Sequence, residues 1–159
     1  MRERMNNNDV LRRLRYALDI NDRTMIEIFK VSGYTLTSEE LRGILKKEEE
    51  EGFIECTNNM MELFLDGFIT YRRGKQEPRP GQPAPKKEVL SNNVIFKKLR
   101  IALALRGEDV LEIMRLSDKR VSSSELSAIF RQKGHRNYKS CGDRYIRNFL
   151  KGLTIKYRG

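Results

Sequence analysis

Hydrophobic residues recur along the chain at the three- to four-residue spacing of amphipathic helices. In the first such stretch, from about Asp9 to Asp19, the apolar residues that share one arc are Val10, Leu11, Leu14, Ala17 and Leu18. Further helices are predicted over about 23–31 and 58–71, and a capping box at Thr37–Glu40 marks the start of another. No segment shows the alternation typical of a β-strand. The pattern therefore predicts an all-α protein.

The same pattern returns 85 positions later without a gap. Residues 92–159 align with residues 7–74, and about 19 of the 68 aligned pairs are identical. Asn8 and its equivalent Asn93 are predicted to be N-caps of the first helix in each copy, and Ser122–Glu125 repeats the capping box. A gapless register indicates one structural plan used twice. The sequence therefore predicts a tandem duplication of a four-helix unit, with the two copies docked.

A proline-rich linker separates the copies. Residues 75–91 hold all four prolines of the chain, and such a segment is extended and partly stiff. The expected organisation is a first helical repeat at 7–74, a linker at 75–91 and a second, basic repeat at 92–159.

Two kinds of small residue recur at equivalent positions. Gly67 and Gly152 lie inside the predicted last helix of each copy, where glycine costs about 1 kcal/mol relative to alanine. Close packing of another helix is the expected reason. Cys56 and Cys141 are too few for a disulfide scaffold and are expected to be small, buried, reduced thiols.

The residue types that carry most enzyme chemistry are sparse. The single histidine, His135, has no Cys or carboxylate at metal-ligand spacing, and no glycine-rich phosphate loop is present. A Cys141–His135 nucleophile pair has no counterpart in the first copy, where Glu50 replaces the histidine. We expect no cofactor and no metal, and the sequence favours a non-enzymatic role without deciding it. No apolar run reaches the length of a membrane span, so we expect a cytoplasmic protein that contacts no membrane.

Charged residues that are identical in the two copies have a structural interpretation. Arg15 and Arg100 are equivalent, as are Glu27 and Glu112. We expect an ion pair within each repeat, Arg15 with Glu27 and Arg100 with Glu112, because shared charges are explained more simply by shared structure than by a shared ligand.

The net charge of +10 is unevenly distributed. Residues 7–74 contain 10 Lys/Arg and 13 Asp/Glu, whereas residues 92–159 contain 16 and 6. On the last helix of the second copy, Arg144, Arg147, Lys151 and Arg158 share one side, where the first copy has Asn59, Glu62, Asp66 and Arg73. A second reversal aligns Glu48–Glu51 with Lys133–Arg136. Two copies of one plan therefore present opposite charges.

Two functional hypotheses follow, beside a merely solvated basic surface. In the first, the basic face of the second repeat contacts nucleic-acid phosphates. The candidate residues are Lys97, Lys98, Lys133, His135, Arg136, Lys139, Arg144, Arg147, Lys151, Lys156 and Arg158. In the alternative, the oppositely charged faces meet within the chain or between molecules, which describes a protein-interaction or self-assembling module. Its partner is an acidic protein surface or a second copy in a homo-oligomer.

The paired Asn-Asn…Leu-Arg-x-Ala-Leu blocks, Lys47–Phe53, His135–Asp143 and Arg147–Leu153 resemble the YehS-like bacterial proteins, which are built from a tandem domain of unknown function. The resemblance covers nearly the whole chain apart from residues 1–6 and the linker. It implies a bacterial cytoplasmic protein with two copies of an all-helical domain, and it carries over no catalytic residues.

Overall fold

The computed structural model describes residues 5–74 and 89–158, which form eight α-helices without a β-strand between them. The first repeat contains α1 (Asn7–Leu18), α2 (Asp22–Val31), α3 (Ser38–Ile44) and α4 (Asn58–Arg73). The second contains α5 (Asn92–Ala102), α6 (Gly107–Leu116), α7 (Ser123–Phe130) and α8 (Asp143–Arg158). The all-α prediction is confirmed. Most of the predicted linker, residues 75–88, lies outside the described residues.

The two repeats pack by exchanging partners. The first helix of each repeat lies against the last helix of the other, so that α1 packs on α8 and α5 packs on α4. At the start of the first pair, Met5 N donates to Asp143 Oδ2 (3.2 Å), and at its end Arg158 Nε donates to Tyr16 O (2.7 Å). These two helices therefore run parallel. At both crossings the first helix of one repeat packs on the last helix of the other. An approximate twofold axis therefore relates the two repeats.

Buried apolar residues from both repeats form one continuous core. Its largest fully buried side chains include three phenylalanines of the first repeat and two of the second: Phe29, Phe64, Phe68, Phe96 and Phe149. Neither repeat closes its core alone, because the apolar sides of α1 and α8 are buried against each other. The predicted docking of the two copies is confirmed.

Glycine permits the closest helix contacts within each repeat. α2 packs on α4 in the first repeat, and α6 packs on α8 in the second. A Cβ atom at Gly67 would overlap Ile28 O, and a Cβ atom at Gly152 would overlap Ile113 O. The expectation of close packing at these two glycines is confirmed.

The helix N-caps differ in part from the prediction. Asn6 caps α1, since its Oδ1 accepts from Asp9 N (2.8 Å), and Ser91 caps α5, since its Oγ accepts from Val94 N (3.3 Å). The prediction of Asn8 and Asn93 as caps is wrong, because each is the second residue of its helix and is buried.

Asn8 and Asn93 instead connect the first helix of each repeat to the loop that precedes the last helix. Asn8 Nδ2 donates to Ile44 O (2.8 Å) and Ile54 O (2.9 Å), and its Oδ1 accepts from Cys56 N (3.0 Å). Asn93 makes the equivalent bonds with Ile129 O (2.9 Å), Lys139 O (2.8 Å) and Cys141 N (2.8 Å). One buried amide in each repeat thus satisfies three backbone groups.

Both cysteines are buried free thiols, as predicted. They lie beside these asparagines. The preceding asparagines add a second contact, from Asn7 Nδ2 to Cys56 O (3.0 Å) and from Asn92 Nδ2 to Cys141 O (3.1 Å). Burial, with a smaller contribution from the adjacent carboxylate, raises the pKa of each thiol to about 12. Neither thiol has the lowered pKa of a reactive cysteine.

The capping box of α3 is present. Glu40 N donates to Thr37 Oγ1 (3.1 Å), and Thr37 N donates to Glu40 Oε1 (3.3 Å). In the second repeat Glu125 N donates to Ser122 Oγ (3.0 Å), but the Glu125 carboxylate turns to accept from Tyr145 Oη (2.5 Å). Ser122 therefore still caps α7, but Glu125 binds Tyr145 instead of the backbone of the cap residue.

The predicted pair of Arg15 with Glu27 is wrong. Arg15 Nη2 donates to Asp22 Oδ1 at 2.7 Å. The short connection between the two helices places the first residue of α2 beside the last turn of α1, whereas Glu27 lies about 7.5 Å further along the helix axis. Proximity at the helix junction therefore decides the partner.

The predicted pair of Arg100 with Glu112 is also not formed in the part of the chain that the structure describes. Arg100 Nε donates to Leu105 O (3.0 Å), and its guanidinium carbon lies 4.7 Å from the centroid of the Phe130 ring. A backbone carbonyl of the connection between α5 and α6 and an aromatic face take the place of the carboxylate.

Candidate nucleic-acid interface

Cations line one side of α8. Arg144 and Lys151 are exposed and Arg147 is half-buried, and spacings of three and four residues place all three on the same side of the helix. Within residues 5–74 and 89–158, no ion pair involves any of them. These three residues, which we call the α8 stripe, thus present their charges without a carboxylate partner.

The loops before the last helix of each repeat share a hydrogen-bonding pattern but not every turn, since the residue with positive φ is Gly52 in the first loop and Gly134, at a non-equivalent position, in the second. The acidic loop (residues 46–55) and the basic loop (residues 131–140) are each held by equivalent backbone hydrogen bonds. These bonds run from Glu50 N to Lys47 O (2.9 Å), Ile54 N to Gly43 O (3.0 Å), His135 N to Gln132 O (3.0 Å) and Lys139 N to Ala128 O (3.1 Å). The first loop exposes Glu48–Glu51, and the second exposes Lys133, His135 and Arg136. Two loops with the same backbone hydrogen bonds therefore carry opposite charge patterns.

Each loop borders a cleft of about 430 Å³ beside the first helix of a repeat. The cleft at the acidic loop is lined by Glu48, Phe53 and Glu55. At the equivalent positions the cleft at the basic loop is lined by Lys133, Tyr138 and Ser140, together with Lys97 and Arg131. The two clefts lie at equivalent places in the two repeats, and the charged residues that line them have opposite signs.

Two of the predicted interface residues are committed to contacts between the repeats. Lys98 Nζ lies 2.6 Å from Asp66 Oδ1. Arg158 Nη2 lies 3.3 Å from Asp19 Oδ1, and its guanidinium carbon is 4.3 Å from the centroid of the Tyr16 ring. At these two points, oppositely charged residues of the two repeats therefore form ion pairs within one molecule.

Lys139 belongs to a small cluster with Tyr145 and Glu125. Its Nζ lies 3.1 Å from Tyr145 Oη and 3.4 Å from Glu125 Oε2. The hydrogen bond from Tyr145, reinforced by Lys139, holds the pKa of Glu125 below its usual range, and Tyr145 and Glu125 raise the pKa of Lys139. The remaining predicted residue, Lys156, lies 5.8 Å from the Tyr157 ring centroid. The predicted cations therefore do not all share one surface.

Sequence reasoning missed the contribution of α1. A groove between α1 and α8 is lined by Arg12, Arg13 and Tyr16 on one side and by Lys151 on the other. The signal was present, because these two arginines align with Lys97 and Lys98 and both copies are basic here. The excess of acidic residues in the first repeat concealed it.

Over the described ranges, no three His, Cys, Asp or Glu side chains are grouped so that they could hold a metal ion. None of the described helices combines the length and the hydropathy that crossing a membrane requires.

Comparison with known proteins defines the class. The model of the family described as "Protein of unknown function (DUF1456)" matches residues 7–74 and again residues 92–159. The chain belongs to this family and contains its domain twice, as the duplication predicted. A relative that is 38% identical over 152 residues, covering 96% of each chain, is "Uncharacterized protein YehS" of Escherichia coli (strain K12), which confirms the YehS-like resemblance.

A pentatricopeptide repeat-containing protein of Arabidopsis thaliana is 27% identical over 96 residues, which span 60% of this chain and 14% of that protein. No solved structure matches the chain significantly.

Proposed function

We propose that this protein is a non-enzymatic, cytoplasmic protein that associates with nucleic acid through the second repeat. The observation that carries the proposal is the α8 stripe, whose three cations have no ion-pair partner among the described residues. Unpaired cations at helical spacing suit a row of phosphates, because each contact releases condensed counterions. The exposed basic loop adds Lys133 and Arg136 as further phosphate contacts.

The acidic first repeat does not neutralise this surface. Asp66, which occupies the position equivalent to Lys151, pairs with Lys98 on the other side of the molecule's twofold axis. In the acidic loop, Glu50 Oε1 accepts from Lys47 N (3.0 Å), a contact within that loop. These contacts support an open basic surface.

The test is binding of fluorescein-labelled RNA and DNA oligonucleotides, followed by anisotropy at about 50 and about 200 mM NaCl. Five phosphate contacts predict a loss of affinity of about 130-fold for single strands over this range. The double variant Arg144→Gln/Arg147→Gln should weaken binding strongly. The control Arg115→Gln/Arg120→Gln removes the same charge from exposed residues of α6 and the following loop. No binding at low salt, or equal losses in both double variants, would overturn the proposal.

A second candidate function has its own supporting observation. The acidic and basic loops share their backbone hydrogen bonds, and both are exposed. The acidic loop of one molecule is therefore complementary in charge to the basic loop of another. Such contacts would assemble copies head to tail. Sedimentation velocity at low and high salt tests this, with salt-sensitive oligomers as the expected result. A monomer at every salt concentration would contradict it.

A further inference from the structure

The groove between α1 and α8 combines residues of both repeats. Its volume is about 270 Å³, and its lining residues are Arg12, Arg13, Tyr16, Leu150, Lys151 and Thr154. Leu150 is buried, whereas Tyr16 keeps 57% of its surface exposed. The groove therefore has an apolar floor, an accessible aromatic ring and cations on both walls.

The equivalent crossing on the other side of the twofold axis is closed by an ion pair. There α5 packs on α4, and Lys98 Nζ lies 2.6 Å from Asp66 Oδ1. A shift of 85 positions relates Lys98 to Arg13 and Asp66 to Lys151. The position that Asp66 occupies at the α5–α4 crossing is therefore occupied by a cation, Lys151, at the α1–α8 crossing.

Two cations that face one groove repel each other unless an anion lies between them. Neither Arg13 nor Lys151 forms an ion pair in the part of the chain that the structure describes, whereas Arg12 is paired with Asp9. The apolar contacts between α1 and α8 keep these charges together. The arrangement stores an unfavourable interaction that a bound phosphate would relieve.

The remaining groove residues favour a phosphate that carries an exposed base. Bases of a single strand can stack on an aromatic side chain, and such stacking is tolerant of sequence. Tyr16 lines the groove and keeps 57% of its surface exposed, although the guanidinium of Arg158, which is paired with Asp19, lies over the ring at 4.3 Å from its centroid. In a duplex the bases are already stacked on each other, so the aromatic ring and apolar floor would have no partner.

We propose that the α1–α8 groove binds a segment of single-stranded nucleic acid. A base packs on Tyr16 and Leu150, and Arg13 and Lys151 bind the flanking phosphates. This inference rests on the proposed function and extends it in two ways. It names the single strand as the bound form, and it gives the first repeat a direct part in binding.

The experiment compares a single strand with a duplex of the same length, both fluorescently labelled, against the full-length protein. The wild type should bind the single strand more tightly. Tyr16→Leu should lower single-strand affinity about tenfold, as expected for the loss of one stacked base, and should leave duplex affinity nearly unchanged. Since Tyr16 is exposed, the variant should fold, and its thermal midpoint verifies this.

Lys151→Asp provides a test that separates binding from folding. It gives Arg13 the carboxylate that Lys98 has at the equivalent crossing, so thermal stability should stay the same or rise while single-strand affinity falls more than tenfold. The control Arg23→Asp makes the same charge change at an exposed residue of α2, away from the groove, and should change affinity less than threefold.

The outcomes distinguish the two proposals. The groove proposal fails if oligonucleotides bind and the Arg144→Gln/Arg147→Gln variant weakens them, but Tyr16→Leu and Lys151→Asp bind single strands like the wild type. It also fails if the duplex binds as tightly as the single strand. Absence of all binding at low salt overturns both the groove proposal and the proposed function.

Discussion

Asn93 Oδ1 accepts a hydrogen bond from Cys141 N at 2.8 Å, and Asn8 repeats this contact with Cys56 at 3.0 Å. In each repeat the same amide also donates to two carbonyls, so that the first helix, the end of the third helix and the following loop meet at one buried side chain. The basic loop carries several candidate interface residues, and this contact fixes its position. A structural asparagine thereby supports the surface on which function is proposed.

Asn93→Ala should destabilise the protein by about 3 kcal/mol. The substitution leaves one buried N–H and two carbonyls without their partner, and each unsatisfied buried group costs about 1–3 kcal/mol before relaxation. Equilibrium urea unfolding measures the change. Asn59→Ala is the matched control, because Asn59 is exposed on α4 and alanine favours a helix. A loss for Asn93→Ala no larger than the control's would refute this role.

Gly152→Ala should cost about 2–3 kcal/mol despite the higher helix propensity of alanine. A Cβ atom would overlap the carbonyl oxygen of Ile113, so α6 and α8 must separate, and overpacking of this kind costs about 1–3 kcal/mol or more. Gly142→Ala serves as the control, since no atom lies within 4 Å of its would-be Cβ. Thermal unfolding of both variants gives the comparison, and equal midpoints would exclude the packing explanation.

Properties set by local periodicity were predictable from the sequence. The apolar arc of α1 depends on residues within a few turns of one another, and the close packing at Gly67 and Gly152 was indicated by the recurrence of glycine at equivalent positions of the two copies. The role of Asn8 was not predictable, because an asparagine near a helix start suits both a cap and a buried bridge. The partner of Arg15 depended on the geometry of a helix junction. The groove with Arg13 and Lys151 depended on which helices meet across the repeats, and the charge totals of the separate copies contain no such information.

The native thiols should be almost inert toward alkylation at pH 8. Burial raises the pKa of Cys56 and Cys141 from 9.0 to about 12, so the thiolate fraction at pH 8 falls about a thousandfold relative to the unfolded chain. Timed reaction with a thiol reagent, with and without guanidinium chloride, measures this difference. Rapid reaction of both thiols in the native protein would contradict it.

The same shift predicts a loss of stability in alkali. Each thiol has a higher pKa in the folded state than in the unfolded state, so the folded state binds more protons above pH 9. The contribution is complete below about pH 9 and is lost as the pH rises toward about 12. The Cys56→Ala/Cys141→Ala variant lacks these groups and should show a flatter decline between pH 9 and 11 in urea unfolding. Parallel curves for the two proteins would show that other groups cause the decline.

Asp66→Lys should destabilise the α5–α4 crossing in a salt-dependent way. The substitution replaces the partner of Lys98 by a second cation and so reproduces the charge pattern of the α1–α8 groove. Because the side chains of Lys98 and Asp66 are 26% and 56% exposed, solvent weakens the pair and we expect a loss of about 1 kcal/mol at low salt. In about 1 M NaCl the Debye length falls to about 3 Å, so most of the loss should disappear.

Asp66→Asn removes the attraction without adding repulsion and should lose less. Urea unfolding at both salt concentrations decides the matter: a loss that is independent of salt would assign the effect to packing, and the proposed contrast between the two crossings would then not rest on charge.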